Sequence, residues 1–347
     1  MKPINTALLS FGLSGKAFHA PFLHAHPGFR LAGSWERSTK SIQQRYPEAK
    51  SYNSFEQLLE DPGVDLVVVN TPTSTHYENT RRALEHGKHV LTEKAFTTNA
   101  AEAVELESLA KERKLKLCVF QNRRWDSDFR SVSRVLQDGL LGDIVEANLA
   151  FLRYNPDLSP KAHKEEPGPG AGIVKDLGPH VIDQALVLFG MPDALFADIA
   201  ITRERSRVDD YFDMLLIYGD KRVRLKGGYL YKQPLPEYSL FGRRGSFLKS
   251  RSDVQEMQLL QGMTPDDPTY GVEPDSAAGR LYLDEGSNAV VQNVISPRGN
   301  YIEFFEALYR SIAHGETEPV TAADGIRVMR IIDAAFQSSD QNKVVSL

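Results

Sequence analysis

The sequence predicts an α/β protein in two parts, a doubly wound parallel sheet over residues 1–122 and an α+β domain with a mainly antiparallel sheet over residues 123–347. Three observations lead there. Short β-type runs alternate with helical ones through the first third of the chain, which is the pattern of strand-helix-strand units. One β-type run, Val64-Asp65-Leu66-Val67-Val68-Val69, is nearly all apolar, as expected of a parallel strand covered on both faces. Beyond Phe120, β-type runs follow one another without helices between them, as in an antiparallel sheet.

In order, Asn5 to Ser10, Phe29 to Trp35, Val64 to Asn70, His89 to Thr92 and Lys116 to Phe120 read as strands. Helices are expected around Ser14 to Ala25, Ser38 to Tyr46, Ser54 to Leu59, Tyr77 to His86 and Asn99 to Arg113. The first strand ends in Ser10-Phe11-Gly12-Leu13-Ser14-Gly15. A Gly-rich turn between strand and helix aims free N–H groups and the positive end of the helix dipole at one point, where a pyrophosphate can sit. Gly12, Leu13, Ser14 and Gly15 are therefore candidate cofactor residues, although a serine occupies the place of the usual first glycine. About 20 residues past the glycines, an acid usually holds the adenosine ribose. Glu36 fits NAD by that rule, whereas Arg37, Ser38 and Thr39 suit the 2'-phosphate of NADP, so the cue is split with a slight balance towards NADP. The third and fourth strands run into Asn70-Thr71-Pro72-Thr73-Ser74-Thr75-His76 and Leu91-Thr92-Glu93-Lys94-Ala95 at the ligand-binding edge of such a sheet. A lysine there is able to hold a substrate oxygen and stabilise charge developing on it.

The second part begins with the polar cluster Gln121-Asn122-Arg123-Arg124-Trp125-Asp126 and a helix from Asp128 to Leu141. Ile144 to Arg153, Ala197 to Thr202, Asp210 to Tyr218 and Val223 to Leu230 read as strands, and Met263 to Gly286 as a long irregular stretch. Two helices close the chain, Tyr301 to His314, stopped by Gly315, and Ala322 to Ser338, opened by Thr321 with Asp324 three residues on. Gly168 to Gly172 is a loop leading into Asp176-Leu177-Gly178-Pro179-His180-Val181-Ile182-Asp183. If a helix starts near Leu177, Asp176, His180 and Asp183 fall along one side. A histidine held by a carboxylate can take a proton near neutral pH, which oxidation of an alcohol requires. Helix capping by Asp176 and a core position for His180 remain open beside that reading.

Composition narrows the classes further. A chain of 347 residues, 41% hydrophobic and 25% charged, suits a two-domain globular enzyme. A formal charge of −5 without a basic block disfavours nucleic acid and anionic membranes as partners. Cys118 is the one cysteine and lies in an apolar run, so neither an intrachain disulfide nor a thiolate metal site is expected. No metal is expected, because the nine histidines are scattered and no His-Glu-x-x-His string occurs. The N-terminus lacks a signal pattern and no apolar run approaches the roughly 18 residues of a membrane span, so a cytoplasmic location is expected.

With these stretches in view, the chain resembles the glucose-fructose oxidoreductase / inositol dehydrogenase (Gfo/Idh/MocA) family. The likeness is carried by Phe11 to Leu23, Val67 to Ala95, Gln121 to Phe129 and Asp176 to Gly190, and is strongest towards the branch of NADP-dependent scyllo-inositol dehydrogenases. It implies an N-terminal Rossmann domain, a C-terminal open antiparallel sheet, a substrate cleft between them, and pairing of subunits into a homodimer or homotetramer through that sheet. The Glu-Lys-Pro lysine and the Asp-x-x-x-His pair of the family map onto Lys94, Asp176 and His180. His180 is then the general base, Asp176 orients it or contacts substrate, and Lys94 holds the reacting oxygen and helps to set the base's pKa. Asn70, Thr71, Pro72, His76, Glu93, Asn122 and Arg123 would line the nicotinamide and ribose end, with Arg124, Trp125 and Tyr154 beside the substrate.

The resemblance implies an NAD(P)-dependent dehydrogenase acting on a secondary alcohol of a cyclic polyol or sugar. A non-catalytic dinucleotide sensor and an NAD-dependent redox-assisted glycosidase are the alternatives. Two departures bear on the site. Ala95 replaces the proline of Glu-Lys-Pro, which removes the rigid kink that aims Lys94. Lys175 precedes the aspartate, and a second cation there is expected to lower the pKa of His180 or to favour an acidic substrate.

Overall fold

The computed structural model describes residues 2–36, 40–233, 235–285 and 288–347; Arg37, Ser38 and Thr39, expected at the ribose end of the cofactor, lie outside the described residues. Two compact units form. One comprises Met1–Asn122, Gln255–Tyr270 and Asn300–Ile326, the other Arg123–Val254, Gly271–Gly299 and Arg327–Leu347.

The first unit contains six parallel strands: β1 (Ile4–Leu8), β2 (Phe29–Trp35), β3 (Lys50–Tyr52), β4 (Leu66–Val69), β5 (His89–Thr92) and β6 (Leu117–Val119). Their order, β3-β2-β1-β4-β5-β6, reverses between β1 and β4, so the carboxyl ends of these two strands mark the switch point at which ligands bind in such sheets. All four residues of β4 are wholly buried, as the apolar run predicts. The edge strand β3 has no counterpart in the sequence reading; it is three residues long and starts on an exposed lysine, which leaves no alternation to detect. Helix starts follow local capping chemistry. The Ser54 hydroxyl accepts from Gln57 N at 3.1 Å, Asn99 Oδ1 from Glu102 N at 3.0 Å, and Thr321 and Asp324 exchange bonds of 3.1 Å each.

The helix expected over Ser14 to Ala25 forms in two pieces, a π-helical turn Gly15–His19 and an α-helix Ala20–Ala25. Pro21 explains the break. It has no N–H for the carbonyl four residues back and its ring crowds that carbonyl, so the Ala20 N–H reaches Gly15 O instead.

The second unit contains nine strands: β7 (Ile144–Leu152), β8 (Ala194–Ala200), β9 (Tyr211–Ile217), β10 (Arg222–Gly228), β11 (Tyr238–Gly242), β12 (Gly245–Lys249), β13 (Gly279–Glu285), β14 (Asn288–Val294) and β15 (Val345–Ser346). They lie in the order β14-β13-β12-β11-β7-β10-β9-β8-β15. Only the β7–β10 pair is parallel among the described residues. The stretch Met263 to Gly286 is not wholly irregular, since its last part is β13. The row Tyr238, Leu240, Phe247 and Leu281 is buried together with Ala147, Leu149, Phe212 and Leu225, and the helix Gly178–Phe189, whose Val181, Ile182 and Ala185 are wholly buried, packs on β7 and β10.

Candidate functional site

In the first unit the turn after β1 is closed by its own serine. Ser10 Oγ accepts from Gly12 N at 3.3 Å, which supplies locally what a first glycine would provide by conformation. A Cβ on Gly15 would stand 2.5 Å from Ser10 O and 3.1 Å from Asn70 Nδ2, so glycine is required there for the helical turn to approach β1 and β4. Gly12 is different. It is exposed, and a Cβ on it would meet only Ser10 Oγ at 3.4 Å. Leu13 is half exposed, and Ser14 Oγ lies 3.4 Å from Asn70 Nδ2. Asn70 also donates to Ser10 O at 2.8 Å, whereas its Oδ1 is buried with no partner among the described residues. An open glycine, a glycine that admits close backbone approach and an unsatisfied buried acceptor together fit a dinucleotide at the end of β1.

At the end of β2, Glu36 faces its own chain. Its carboxylate accepts from Ser41 N (3.0 Å), Ser41 Oγ (2.7 Å), Ile42 N (3.0 Å) and Ser34 Oγ (3.2 Å), capping the helix Ser41–Arg45. A residue expected to bind ribose thus serves a helix N-terminus.

At the ends of β4 and β5, His76 ties two loops together. Nδ1 lies 2.7 Å from Ala95 O and Nε2 2.8 Å from Thr71 O, and burial pushes this imidazole below its ordinary pKa against the pull of the two carbonyls. Thr71 Oγ1 is bonded in turn to Thr75 and Asn79, which fixes the segment through Pro72. The Lys94–Ala95 peptide bond is cis, and the chain turns sharply there with a wholly buried alanine in place of proline. Before it, Glu93 Oε1 is 2.9 Å from Nε2 of His19, a fully buried ring packed on Phe120 with centroids 4.4 Å apart. Burial opposes ionisation of Glu93, but the His19 bond, with the charge of Lys94 nearby, outweighs it and holds the carboxyl below its ordinary value. The role of His19 in holding Glu93 is one that sequence reasoning missed. This histidine lies within the expected helix, and its partner is 74 positions away.

In the second unit Asp176 and His180 stand on consecutive helices. Asp176 ends the short helix Ile173–Asp176, Leu177 is the joint, and His180 lies in the first turn of Gly178–Phe189, with Pro179 ahead of it where a missing N–H costs nothing. His180 is almost fully buried, its ring 6.0 Å from that of Phe151. Around the Phe151 ring stand the guanidiniums of Arg251, Arg153 and Arg123, at 4.5, 4.7 and 5.2 Å. Such a field favours negative charge developing on a bound oxygen. Asp183 lies three residues after His180 in the same helix, and Arg124 holds it in a two-pronged pair at 2.8 and 2.7 Å. Arg123 pairs with Asp126 at 3.2 Å, and the same short helical turn, Asn122–Trp125, carries Asn122 and Trp125, with Asn122 buried. Tyr154 is half exposed, with Lys232 4.8 Å over its ring.

Lys175 lies 5.6 Å over the Phe336 ring, and the ammonium at Asp176 belongs to Lys164, 2.6 Å from Oδ2. Tyr229 is a further neighbour missed in the sequence; burial and the negative charge of Asp176 push its hydroxyl up.

Two family models match almost the whole chain, an NAD-binding Rossmann fold of an oxidoreductase family over residues 4–121 and the C-terminal alpha/beta domain of the same family over residues 134–347. The chain belongs to the Gfo/Idh/MocA oxidoreductase family. Members similar to it include the Bacillus subtilis scyllo-inositol 2-dehydrogenase (NADP(+)) IolW, 35% identical over 99% of this chain and 96% of that protein. The D-xylose 1-dehydrogenase (NADP(+)) 2 of Haloferax volcanii is 26% identical over 93% of this chain and 92% of its own length. Among solved structures, the Bacillus subtilis oxidoreductase yvaA superposes with a TM-score of 0.96 at 35% identity, covering 100% of this chain and 99% of the other. The six-stranded parallel sheet is accordingly the family's NAD-binding domain, and the chain is an oxidoreductase. No helix among the described residues is long and apolar enough to cross a membrane.

Proposed function

We propose that this protein is an NADP-dependent dehydrogenase that oxidises one secondary alcohol of a cyclic polyol or sugar, inositol-like or aldose, and runs the reverse reduction. The observation that carries the reading is the retention of Lys94 directly beyond β5 together with Asp176 and His180 at a paired helix start. A bound nicotinamide dinucleotide supplies the hydride acceptor, or the donor in reverse. His180 takes the hydroxyl proton as the C–H bond breaks, and its burial against Phe151 fixes the ring in one orientation. Lys94 holds the reacting oxygen, and Glu93, kept ionised, anchors the turn on which Lys94 stands. Asp176 holds a neighbouring hydroxyl.

Glu36 favours NADP over NAD. Its two oxygens already accept four bonds from Ser34, Ser41 and Ile42, so the carboxylate that selects NAD by binding ribose hydroxyls is turned away from that task. The similarity to two relatives named as NADP(+) dehydrogenases of an inositol and a pentose supports both the cofactor and the substrate class. We also propose a homodimer or homotetramer through the second sheet, whose strands leave Val145, Phe196, Phe241 and Val291 exposed.

Fluorescence titration with NADPH and NADH, followed by an inositol and aldose panel read at the nicotinamide absorbance, tests the reading. NADPH should bind more tightly than NADH, and His180→Ala should retain NADPH while losing about 10²–10⁴-fold in kcat. Tight NADPH binding by the wild-type protein without turnover of any polyol or aldose would refute it.

A further inference from the structure

The pair formed by Lys164 and Asp176 is built with more support than its own stability warrants. Lys164 sits in the short helix Ala162–Glu165, and its Nζ is 2.6 Å from Asp176 Oδ2 with both side chains partly exposed, at 37% and 25%. An ion pair so placed contributes little stability, because solvent screens it and a long side chain must be held still. Both partners are nevertheless fixed from behind by one turn, residues 202–210. Arg203, almost wholly buried, donates to Glu165 Oε2 and to Asp157 O at 2.9 Å each and is itself held by the fully buried Asp210 at 2.9 Å. Its guanidinium therefore pins the residue next to Lys164. On the other side of the same turn, Asp209 accepts from Ile173 N through its carbonyl and from Val174 N through Oδ2, at 2.8 Å each, which seats the helix that ends in Asp176. A buried Arg–Asp pair carries a desolvation cost that an apolar pair would avoid, so its use here points to placement rather than to stability.

We infer that Lys164 is a positioning residue for the substrate site: its ammonium, steadied through Glu165 and Arg203, fixes the rotation of the Asp176 carboxylate so that it meets a polyol hydroxyl in a single orientation. This rests on the proposed contact between Asp176 and substrate. Removing the ammonium takes away this hold on the carboxylate and costs substrate binding, whereas dinucleotide binding, which belongs to the first unit's cradle, is untouched. Any cation able to reach Asp176 restores the effect in part.

Lys164→Met and Lys164→Arg, each alone and in an Asp176→Asn background, provide the test. Two readouts serve, kcat/KM for the polyol and calorimetric binding of scyllo-inositol to the NADPH-loaded protein, a pair that cannot react. Lys164→Met should weaken polyol binding and kcat/KM about tenfold, chiefly in KM, with NADPH affinity unchanged, and Lys164→Arg should return to within about threefold of wild type. In the Asp176→Asn background Lys164→Met should add nothing, since a residue that acts only through another has no effect once that other is gone. Unchanged polyol affinity in Lys164→Met, or a loss that persists undiminished on Asp176→Asn, overturns the inference while leaving the dehydrogenase reading intact. Wild-type protein that binds NADPH but neither binds nor oxidises any polyol or aldose overturns the proposed function and this inference with it.

Discussion

Gly12 and Gly15 share one turn but are glycines for different reasons, and substituting each by alanine separates packing from ligand approach. At Gly15 the added Cβ would lie 2.5 Å from a backbone oxygen, Ser10 O, where an ordinary contact is 3.4 Å or more. Neither β1 nor the helical turn can yield cheaply, and Asn70 Nδ2 at 3.1 Å closes the other side. Overpacking of this kind costs about 1–3 kcal/mol, offset by at most about 1 kcal/mol from alanine's better helix propensity. The net loss of about 1–2 kcal/mol corresponds to a fall in Tm of about 3–6 °C for a unit of this size. At Gly12 the new methyl meets only Ser10 Oγ at 3.4 Å, so stability should stay within about 0.5 kcal/mol of wild type. The same methyl stands on the exposed side of the turn, where a pyrophosphate must approach the backbone, and should weaken NADPH binding at least about tenfold, or about 1.4 kcal/mol. Thermal unfolding without cofactor and fluorescence titration with NADPH measure the two effects separately. Wild-type NADPH affinity in Gly12→Ala would refute the assignment of this turn as the dinucleotide cradle; wild-type stability in Gly15→Ala would refute the packing argument.

Other expectations concern groups away from the reacting atoms. Lys249 is fully buried and donates to Glu273 (2.6 Å), Ser252 Oγ (2.8 Å) and Ala277 O (2.5 Å), so Lys249→Met should cost about 3–5 kcal/mol in urea unfolding by stranding Glu273, with part regained in Lys249→Met/Glu273→Gln. The Lys50 ammonium holds the Asp61 carboxyl at about 2, below the ordinary 3.8, with help from Gly63 N and the Tyr52 hydroxyl and against burial. A depressed folded value means that this stabilisation is complete above the ordinary carboxylate range and drains away as pH falls from 3.8 towards about 2. Because Lys50 is two-thirds exposed, the effect should be about 1 kcal/mol or less, and Asp61→Asn should flatten that part of the acid limb in unfolding curves taken from pH 5 downwards. Glu36→Ala should lose about 1 kcal/mol with the cap on Ser41–Arg45 while keeping the preference for NADPH over NADH; a swing in that preference would return Glu36 to the ribose.

Much of the first unit was legible because its signals are local. A run such as Leu66-Val67-Val68-Val69, covered on both faces, a capping box at Thr321 and Asp324, and a glycine turn between strand and helix are all complete within a few residues, and the structure forms each where the pattern places it. Strands β11 to β14 were harder. In β12 the inward position after Phe247 is Lys249, a buried lysine whose partner is 24 residues away, and no hydrophobic alternation survives such a substitution. β13 was hidden for a different reason, behind the Gly/Pro-rich lead-in that precedes it.

The candidate site divides along the same line. Residue types and spacing alone were enough to single out Gly12, Gly15, Lys94, Asp176 and His180, because a phosphate cradle, a strand-end lysine and an acid four residues before a histidine are short patterns. What each side chain does with its hydrogen-bonding capacity was decided only by tertiary structure. Helical spacing puts Asp183 on the side of His180, and Arg124, 59 positions away, donates to both of its oxygens. Glu36 has the right distance from the glycines for a ribose and the better offer from a helix N-terminus. Asp176 meets the ammonium of Lys164 across a loop, and Glu93 meets the ring of a histidine 74 positions earlier. Periodicity reports which face a residue occupies; a carboxylate's partner is whichever donor the folded chain brings within 3 Å, and that is a property of loop closure and sheet order that no local pattern records.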